Sequence, residues 1–227
     1  MFTGLIEATG TVVELAPPRA TAGATRITIS SPALAPRLRT GDSIAVSGVC
    51  LTALDITLTQ FSADLAEETL ARTTLGRLGP GYVVNLELPT PSGAPLGGHV
   101  VQGHVDGVGT LVVLEPVDPA NEATTDWRLR VVVPSHLSKY VAAQGSITID
   151  GISLTVAGIL GDVVSVAIIP HTYAVTALSK LMPGSSVNIE VDVLAKYAEK
   201  QALKAAPAVD RMAQWTVSEE YLISNGY

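Results

Sequence analysis

The sequence repeats itself along most of its length, and this repeat limits the possible folds more than any other feature. Residues 103–114 align with residues 4–15 at an offset of 99, with five of 12 pairs identical. Three blocks in the same order predict a duplicated domain, whose second copy carries about four extra residues in the polar run 116–126. The other two blocks align at an offset of 103: residues 146–155 with 43–52, and residues 187–190 with 84–87.

The composition excludes several classes of function. Apolar residues make up 47% of the chain and charged residues 15%, as in proteins that form a buried core. A net charge of −7 without a basic cluster argues against nucleic acid as a partner. The single cysteine rules out an intramolecular disulfide framework. Because there is no leader-like N-terminus and no apolar run of about 18 residues, we expect a cytoplasmic protein that does not cross a membrane.

Each copy contains about six short segments with the period-two alternation or the β-branched content of strands. Six antiparallel strands with short connections favour a small closed barrel, which leaves no unpaired edge. We therefore predict an all-β fold of two tandem six-stranded antiparallel barrels followed by a C-terminal α-helix. The predicted strands are 5–15 (with a bulge at Gly10), 25–30, 42–46, 50–56, 60–65 and 82–88, then 105–114, 127–133, 146–150, 153–160, 163–169 and 185–191.

The predicted domains follow from the repeat and from a proline-rich linker at residues 89–95. A helix is predicted over Val193–Ala205, because this stretch lacks glycine and proline and is rich in strong helix formers. We expect its short apolar stripe, which includes Leu194 and Tyr197, to dock on the barrels or on other copies of the chain. The domains are an N-terminal barrel at 1–97, a C-terminal barrel at 98–191, the helix at 192–206 and a tail at 207–227.

Four motifs, in order across the duplicated framework, resemble those of the riboflavin synthase family of the trimeric, α-chain type. The likeness extends from residue 1 to about residue 200, and the short motifs Glu68-Thr69-Leu70 and Pro170-His171-Thr172 share it. Ser47 stands where the family usually has Asn, and Gln144 where it often has Lys. The four motifs are Met1-Phe2-Thr3-Gly4-Leu5-Ile6-Glu7, Gly48-Val49-Cys50-Leu51-Thr52, Gly97-Gly98-His99 through Gly103-His104-Val105-Asp106-Gly107, and Asp150-Gly151-Ile152-Ser153-Leu154-Thr155.

The resemblance implies a transferase that needs no cofactor and no metal. Members of this family move a four-carbon unit between two molecules of 6,7-dimethyl-8-ribityllumazine and release riboflavin and 5-amino-6-(D-ribitylamino)uracil. Each barrel should hold one lumazine, and the active site should form between the N-terminal barrel of one subunit and the C-terminal barrel of the next. The resemblance also implies a homotrimer held by the C-terminal helix. Association with lumazine synthase is a further expectation.

The resemblance also assigns site residues. The expected catalytic residues are His104, Cys50, Asp150, Ser153, Ser43 and Phe2. The expected substrate-binding residues are Thr3, Gly4, Leu5, Ile6, Cys50, Leu51, Thr52, Asp64, Leu65, Ala66, Glu67, Glu68, Thr69, His99, Gly103, His104, Val105, Gln144, Ser153, Leu154, Thr155, Ile168, Ile169, Pro170, His171, Thr172 and Tyr173.

Differences between the two copies indicate where the chemistry lies, because two identical substrates must act as donor and acceptor. Shared residues such as Thr52 and Thr155 should bind the two ligands alike. The reaction needs a proton taken from the C7 methyl of one lumazine and a nucleophile added at C7 of the other, and His104 is the strongest candidate for proton transfer. The mismatches that should carry the asymmetry are Phe2/Val101, Leu5/His104, Ser47/Asp150, Cys50/Ser153 and Glu68/His171.

Each candidate also has a purely structural interpretation. His104 could be a buried histidine with hydrogen-bond partners, His99 a turn residue, and Cys50 a small apolar filler. Asp150 could serve the turn that an Asp-Gly pair favours, and Ser43 has a framework counterpart in Ser146. The aromatic ring of Phe2 is expected to cover the ligand, although residues so close to a terminus are usually loose.

Two other functions stay open at this point. Lumazine proteins are related fluorescent carriers, but they lack the histidine and cysteine side chains found here at His99, His104 and Cys50. A flavin-reductase-like or structural barrel would not need the same pocket motif in both halves. The sequence does not indicate which barrel holds the donor.

Overall fold

The computed structural model describes residues 1–17 and 24–205, so the predicted tail at 207–227 lies outside the described residues. Within them the chain forms twelve strands and four α-helices. The strands are β1 (Ala8–Ala16), β2 (Thr25–Ser30), β3 (Ser43–Val46), β4 (Val49–Thr52), β5 (Gln60–Leu65), β6 (Val83–Glu87), β7 (Gly107–Pro116), β8 (Trp127–Val132), β9 (Ser146–Ile149), β10 (Ile152–Leu160), β11 (Val163–Ile168) and β12 (Ser186–Val191). The helices are α1 (Glu67–Arg72), α2 (Ser135–Ser138), α3 (Pro170–Val175) and α4 (Val193–Ala205).

The strands form two six-stranded antiparallel barrels, as the repeat predicts. Strands β7–β12, here called the C-barrel, close completely in the order β10-β11-β8-β7-β12-β9. Strands β1–β6, the N-barrel, follow the equivalent order β4-β3-β6-β1-β2-β5, and only an isolated bridge between Leu54 and Ser62 joins the outer strands. The N-barrel is less regular here because Asp55 takes a positive φ of 44° just after β4, whereas the long β10 continues through the corresponding region.

Strand alternation explains which side chains fill each barrel. In β2 the side chains of Ile27 and Ile29 are fully buried, and in β8 those of Leu129 and Val131 are. Their neighbours along each strand point outward, as the two-residue period of a strand requires. Each barrel therefore has its own apolar core. The strand residues whose side chains point outward are available for a site on the outer surface of the barrel.

Three details of the strand prediction are wrong. The strand predicted over residues 50–56 ends at Thr52, and Asp55 then takes a positive φ. Residues 5–7 and 105–106 precede the strands instead of starting them, because Ile6 and Val105 pack against the core of the other barrel. The register shift in β1 falls between Val12 and Glu14, not at Gly10. Gly10 serves close packing instead, since a Cβ there would lie 2.7 Å from Ile29 Cγ2.

The two barrels belong to one compact unit over residues 1–193, and a second unit begins at Leu194. The predicted boundary between the barrels is therefore a boundary in the repeat, not between separately packed bodies. The helix occupies the predicted span Val193–Ala205. No helix in the described ranges is both long and apolar enough to span a bilayer.

Candidate active site

Two short loops cross between the barrels and exchange places. The N-loop, residues 2–6, comes before β1 of the N-barrel, and the C-loop, residues 101–105, holds the equivalent place before β7. The loops meet in a bridge between Phe2 and Val101, with N–O distances of 2.8 and 3.1 Å. Ile6 then packs against the C-barrel core and Val105 against the N-barrel core. Each barrel thus receives part of its surface from the other half of the chain.

Each loop is bonded to the strand that carries a predicted reactive residue. The carbonyl of Gly4 accepts the amide hydrogen of Ser153 at 2.8 Å, and the carbonyl of Gly103 accepts that of Cys50 at 2.8 Å. Both glycines have positive φ, 77° and 78°. An added Cβ would lie 2.6 Å from Ser153 Cβ in one case and 2.7 Å from Cys50 Cβ in the other. Only glycine satisfies both the backbone conformation and the close approach.

Two buried glutamates hold the loops from the opposite side, and neither was predicted as a site residue. Glu87, at the end of β6, accepts hydrogen bonds from the N–H groups of Thr3 and Gly4 and from the Thr3 hydroxyl, at 2.7–3.0 Å. Glu190, in β12, accepts from three consecutive N–H groups of the C-loop, at 2.8–3.2 Å. Burial raises the pKa of Glu87 above its ordinary value, against the effect of these hydrogen bonds. The signal in the sequence was a glutamate at the same place in both copies of the third repeat block.

At the C-barrel, Ser153 forms a hydrogen-bonded pair with His99. The Oγ of Ser153 lies 2.7 Å from His99 Nδ1, and the Oγ1 of Thr148 lies 3.3 Å from Nε2. Burial lowers the pKa of His99 below its ordinary value, and the charge of Asp192 opposes this effect. The imidazole is therefore neutral at pH 7 and can take a proton through or alongside the serine hydroxyl. His99 precedes the C-loop by two residues, and no residue of the first copy corresponds to it.

At the N-barrel, the equivalent position has different chemistry. Cys50 replaces Ser153, and its half-buried side chain packs with Ala45, Val101 and the fully buried ring of Phe2. Phe2 is therefore a fixed part of the junction between the loops rather than a loose terminal residue. His104 follows Gly103 and is exposed, whereas its counterpart Leu5 carries no titratable group. The two equivalent positions share these backbone contacts and carry different side chains. That these side chains are the reactive groups of two ligand sites stays a prediction.

The other predicted binding residues divide by burial. Leu51, Leu65, Leu154 and Ile168 point into the barrel cores, so their side chains serve packing. Half-buried positions are held by Ile6, Ser43, Thr69, Val105, Pro170, Thr172 and Tyr173. The exposed positions are Leu5, Thr52, Asp64, Ala66, Glu67, Glu68, Gln144, Thr155, Ile169 and His171.

Ser43 and Asp64 have further neighbours. Ser43 pairs with Thr52 across β3 and β4, and it also lines a groove of about 600 Å³ with Thr3, Leu5 and Glu87. The carboxylate of Asp64 binds Arg26 through two hydrogen bonds of 2.7 and 3.1 Å. The hydrogen bonds from Arg26 lower the pKa of Asp64. The Arg26 contact therefore holds Asp64 as an anion on β5, beside the predicted N-barrel site.

A second difference between the barrels lies beside α3. Tyr173 stacks on Trp127 with ring centroids 3.7 Å apart and an angle of 10° between the planes. The equivalent residues in the N-barrel are Leu70 and Thr25, and these line a cavity of about 300 Å³. Among the described residues, the aromatic pair of the C-barrel thus stands where the N-barrel has this cavity. Tyr173 belongs to the predicted binding segment, so this difference adjoins the predicted ligand position.

Asp150 lies between the barrels, not on an open surface. Its carboxylate accepts the N–H of Asn188 at 2.8 Å, and its carbonyl accepts a hydrogen bond from the side chain of Asn85 at 2.9 Å. Asn188 reaches in the opposite direction to the carbonyl of Ser47, also at 2.8 Å. Burial raises the pKa of Asp150 from 3.8 to about 7. These contacts give Asp150 a structural role, and a catalytic role stays a prediction.

The buried carboxyl group predicts a pH-dependent stability. A folded-state pKa above the unfolded one stabilises the fold at low pH, and this contribution is lost as the pH rises from about 4 to about 7. A difference of about three pKa units corresponds to on the order of 4 kcal/mol. Asp150→Asn keeps an acceptor for Asn188 but cannot ionise. Its melting temperature should therefore fall less between pH 5 and pH 8 than that of the wild type. Equal slopes would contradict the prediction, and Asp42→Asn on the surface is the control.

Comparison with known proteins decides the family. The model of the lumazine binding domain matches twice, at residues 3–89 and 102–192. Riboflavin synthase from Mycobacterium tuberculosis H37Rv is 44% identical over 205 residues, which cover 88% of this chain and 97% of that protein. Riboflavin synthase from Bacillus subtilis is 38% identical over 227 residues and covers both chains completely. The chain belongs to the riboflavin synthase family.

Solved structures agree on the fold of this riboflavin synthase family member. The complex of LumP with 6,7-dimethyl-8-(1'-D-ribityl)lumazine matches with a TM-score of 0.72 at 23% identity, covering 84% of this chain and 99% of the other. The complex of LumP with riboflavin matches with a TM-score of 0.74 at 24% identity and the same coverage. The two matches of the lumazine binding domain coincide with the N-barrel and the C-barrel, and the gap between them contains the linker and His99.

Proposed function

We propose that this chain is a riboflavin synthase, which converts two molecules of 6,7-dimethyl-8-ribityllumazine into riboflavin and 5-amino-6-(D-ribitylamino)uracil. The observation that carries the proposal is the pairing of two equivalent frameworks with unequal reactive groups, Ser153 with His99 in one and Cys50 beside the His104 loop in the other. A carrier of one ligand type has no use for this difference. A dismutation needs it, because the two substrates have opposite roles.

The proposed chemistry balances without an external reagent. The four carbons that leave the donor are those that the acceptor gains, so the two products contain all atoms of the two substrates and no oxidant is consumed. The neutral His99–Ser153 pair is suited to remove a proton from an acidic C7 methyl. Cys50 or a water molecule near His104 is suited to add at C7 of the second molecule. Backbone groups of both loops and the hydroxyls of Thr52 and Thr155 can bind the polar edges of the rings.

We further propose that the working unit is a homotrimer, in which the N-barrel site of one chain faces the C-barrel site of the next. The asparagine contacts and the exchanged loops hold the two barrels of one chain together, which supports an active site formed between chains and not by movement within one. The exposed Tyr197 on α4 is available for contacts between chains. A cytoplasmic location and association with lumazine synthase stay predictions.

The direct test is conversion of the lumazine by the purified chain. With chelator present and no added cofactor, riboflavin should appear at half the molar amount of the lumazine consumed, and it is measured by its absorbance and by chromatography. Lumazine that is bound but not consumed would favour a carrier. Product that forms only after metal is restored would contradict the proposal.

A further inference from the structure

Each exchanged loop is bound by a glutamate of one barrel and packs against the other barrel. Glu190 belongs to the C-barrel, but the C-loop that it holds delivers Gly103 and Val105 to the N-barrel and presents His104 beside them. Glu87 belongs to the N-barrel, but the N-loop that it holds delivers Gly4 and Ile6 to the C-barrel. Each glutamate therefore acts across the boundary between the barrels.

The contacts explain why a carboxylate is needed. At Glu190, Oε1 accepts from Gln102 at 2.8 Å, and Oε2 accepts from Gly103 at 3.0 Å and His104 at 3.2 Å. Three donors that converge from consecutive residues require two acceptor oxygens, which an ionised carboxylate supplies. A glutamine has one oxygen, and its NH2 group would face N–H donors. Glu190 is 3% exposed and Glu87 is 4% exposed, so water does not replace a lost acceptor.

A second hydrogen bond ties each loop to the barrel, and here the carboxylate lies next to the loop while the N–H donor belongs to the strand. The carboxylate of Glu7, next to the N-loop, accepts the N–H of Leu88 at 2.9 Å, and Asp106, next to the C-loop, accepts that of Val191 at 2.9 Å. Both contacts lie just beyond the clamping glutamates on β6 and β12. Each loop is thus fixed to its own closing strand by two carboxylates, and its carbonyl is left to hold the reactive strand of the other barrel.

We propose that Glu190 and Glu87 are positioning residues, each of which sets the geometry of the ligand site in the opposite barrel. Glu190 positions His104 and the Cys50 strand, and Glu87 positions the backbone contact to Ser153. This inference rests on the proposed function for its kinetic consequences. Its structural consequence, the crosswise coupling of loop and strand, does not depend on catalysis.

The structural test is amide hydrogen exchange in Glu190→Gln and Glu87→Gln. In Glu190→Gln the amides of Gln102, Gly103, His104 and, in the other barrel, Cys50 should exchange about tenfold faster or more, the ratio expected when a charge-assisted hydrogen bond is lost. The amides of Thr3, Gly4 and Ser153 should be unchanged. Glu87→Gln should give the reverse pattern, and Glu115→Gln, an exposed carboxylate on β7, should change neither. Uniform acceleration throughout the C-barrel in Glu190→Gln would overturn the proposal.

The kinetic test combines each variant with His104→Ala. Glu190→Gln should lower kcat about 10- to 100-fold, and adding His104→Ala should then cost much less than it does in the wild type, because both changes disable the same group. In Glu87→Gln the cost of His104→Ala should keep its wild-type value. Equal costs in both backgrounds would contradict the positioning role. If the wild type makes no riboflavin, the proposed function fails, and the exchange pattern alone then decides whether the loops are positioned crosswise.

Discussion

Replacement of Ser153 by alanine is expected to lower kcat by about 10²–10³-fold, the range of a lost acid–base partner, while the melting temperature stays within a few degrees. The hydroxyl is half-buried and bonded to His99, so its loss leaves no large cavity and no unpaired buried charge. The measurement is steady-state formation of riboflavin beside thermal unfolding of the same sample. Ser186→Ala, at the exposed start of β12, is the matched control. Turnover within a few-fold of the wild type would remove Ser153 from the mechanism.

The pH profile separates a proton-transfer role of the pair from a binding role. Burial lowers the pKa of His99, and only the neutral ring can accept a proton. The wild type should therefore lose kcat/KM on the acid side at a pH below the ordinary histidine range. His99→Gln can still bond to Ser153 but cannot titrate, so its residual activity should lack this acid limb. An unchanged acid limb in His99→Gln would assign it to another group.

Ser153→Ala also tests whether the two proposed sites meet between chains. Ser153→Ala leaves the N-barrel site intact, and Cys50→Ala leaves the C-barrel site intact. Random assembly of the two variants, produced together, should restore about a quarter of the wild-type activity if each active site combines barrels from neighbouring subunits. No restoration would show that both substrates meet within one chain.

Replacement of Gly103 by alanine is expected to have the second large effect, a loss of about 100-fold or more in kcat/KM together with reduced stability. The φ of 78° is unfavourable for alanine, and the new Cβ would lie 2.7 Å from Cys50 Cβ and 3.1 Å from the ring of Phe2. The C-loop must then move away from the N-barrel, and His104 moves with it.

The control for this prediction is a glycine with similar φ in open space. Gly184 has a φ of 92°, and a Cβ added there would have no atom within 4 Å, so Gly184→Ala carries the backbone strain without the clash. Kinetics and melting temperatures of the two variants separate the contributions. Equal losses in both would mean that strain alone, not the contact with Cys50, explains the effect at Gly103.

Local patterns were sufficient to predict most of the strands and the terminal helix. β5 and α4 have the predicted limits, because alternation in Gln60–Leu65 and the absence of helix breakers in Val193–Ala205 are properties of single segments. The duplication predicted the two barrels, and the equivalent ligand sites that it implies stay a prediction. Comparison of the two copies also showed that most candidate reactive residues occupy positions at which the copies differ.

The features that sequence reasoning missed all depend on contacts between distant residues. Nothing near Gly4 indicates that its carbonyl binds Ser153, and nothing near Glu190 indicates that it accepts three N–H groups from the C-loop. The strand segments 84–87 and 187–190 did contain a signal, since each carries an asparagine and a glutamate at equivalent places on the face that alternates away from the barrel core. Polar residues that recur there are expected to be bonded inside the fold, although their partners cannot be read from the sequence.

The exchange of loops has a consequence for how such a protein can change over generations. A barrel transferred alone into another protein would leave behind the loop that completes its ligand site, and would have to obtain that loop from a second copy of itself. A substitution in the loop of one copy is likewise expected to change the geometry of the proposed site in the other barrel. A change in the ligand preference of one half is therefore expected to depend on residues in the other half as well.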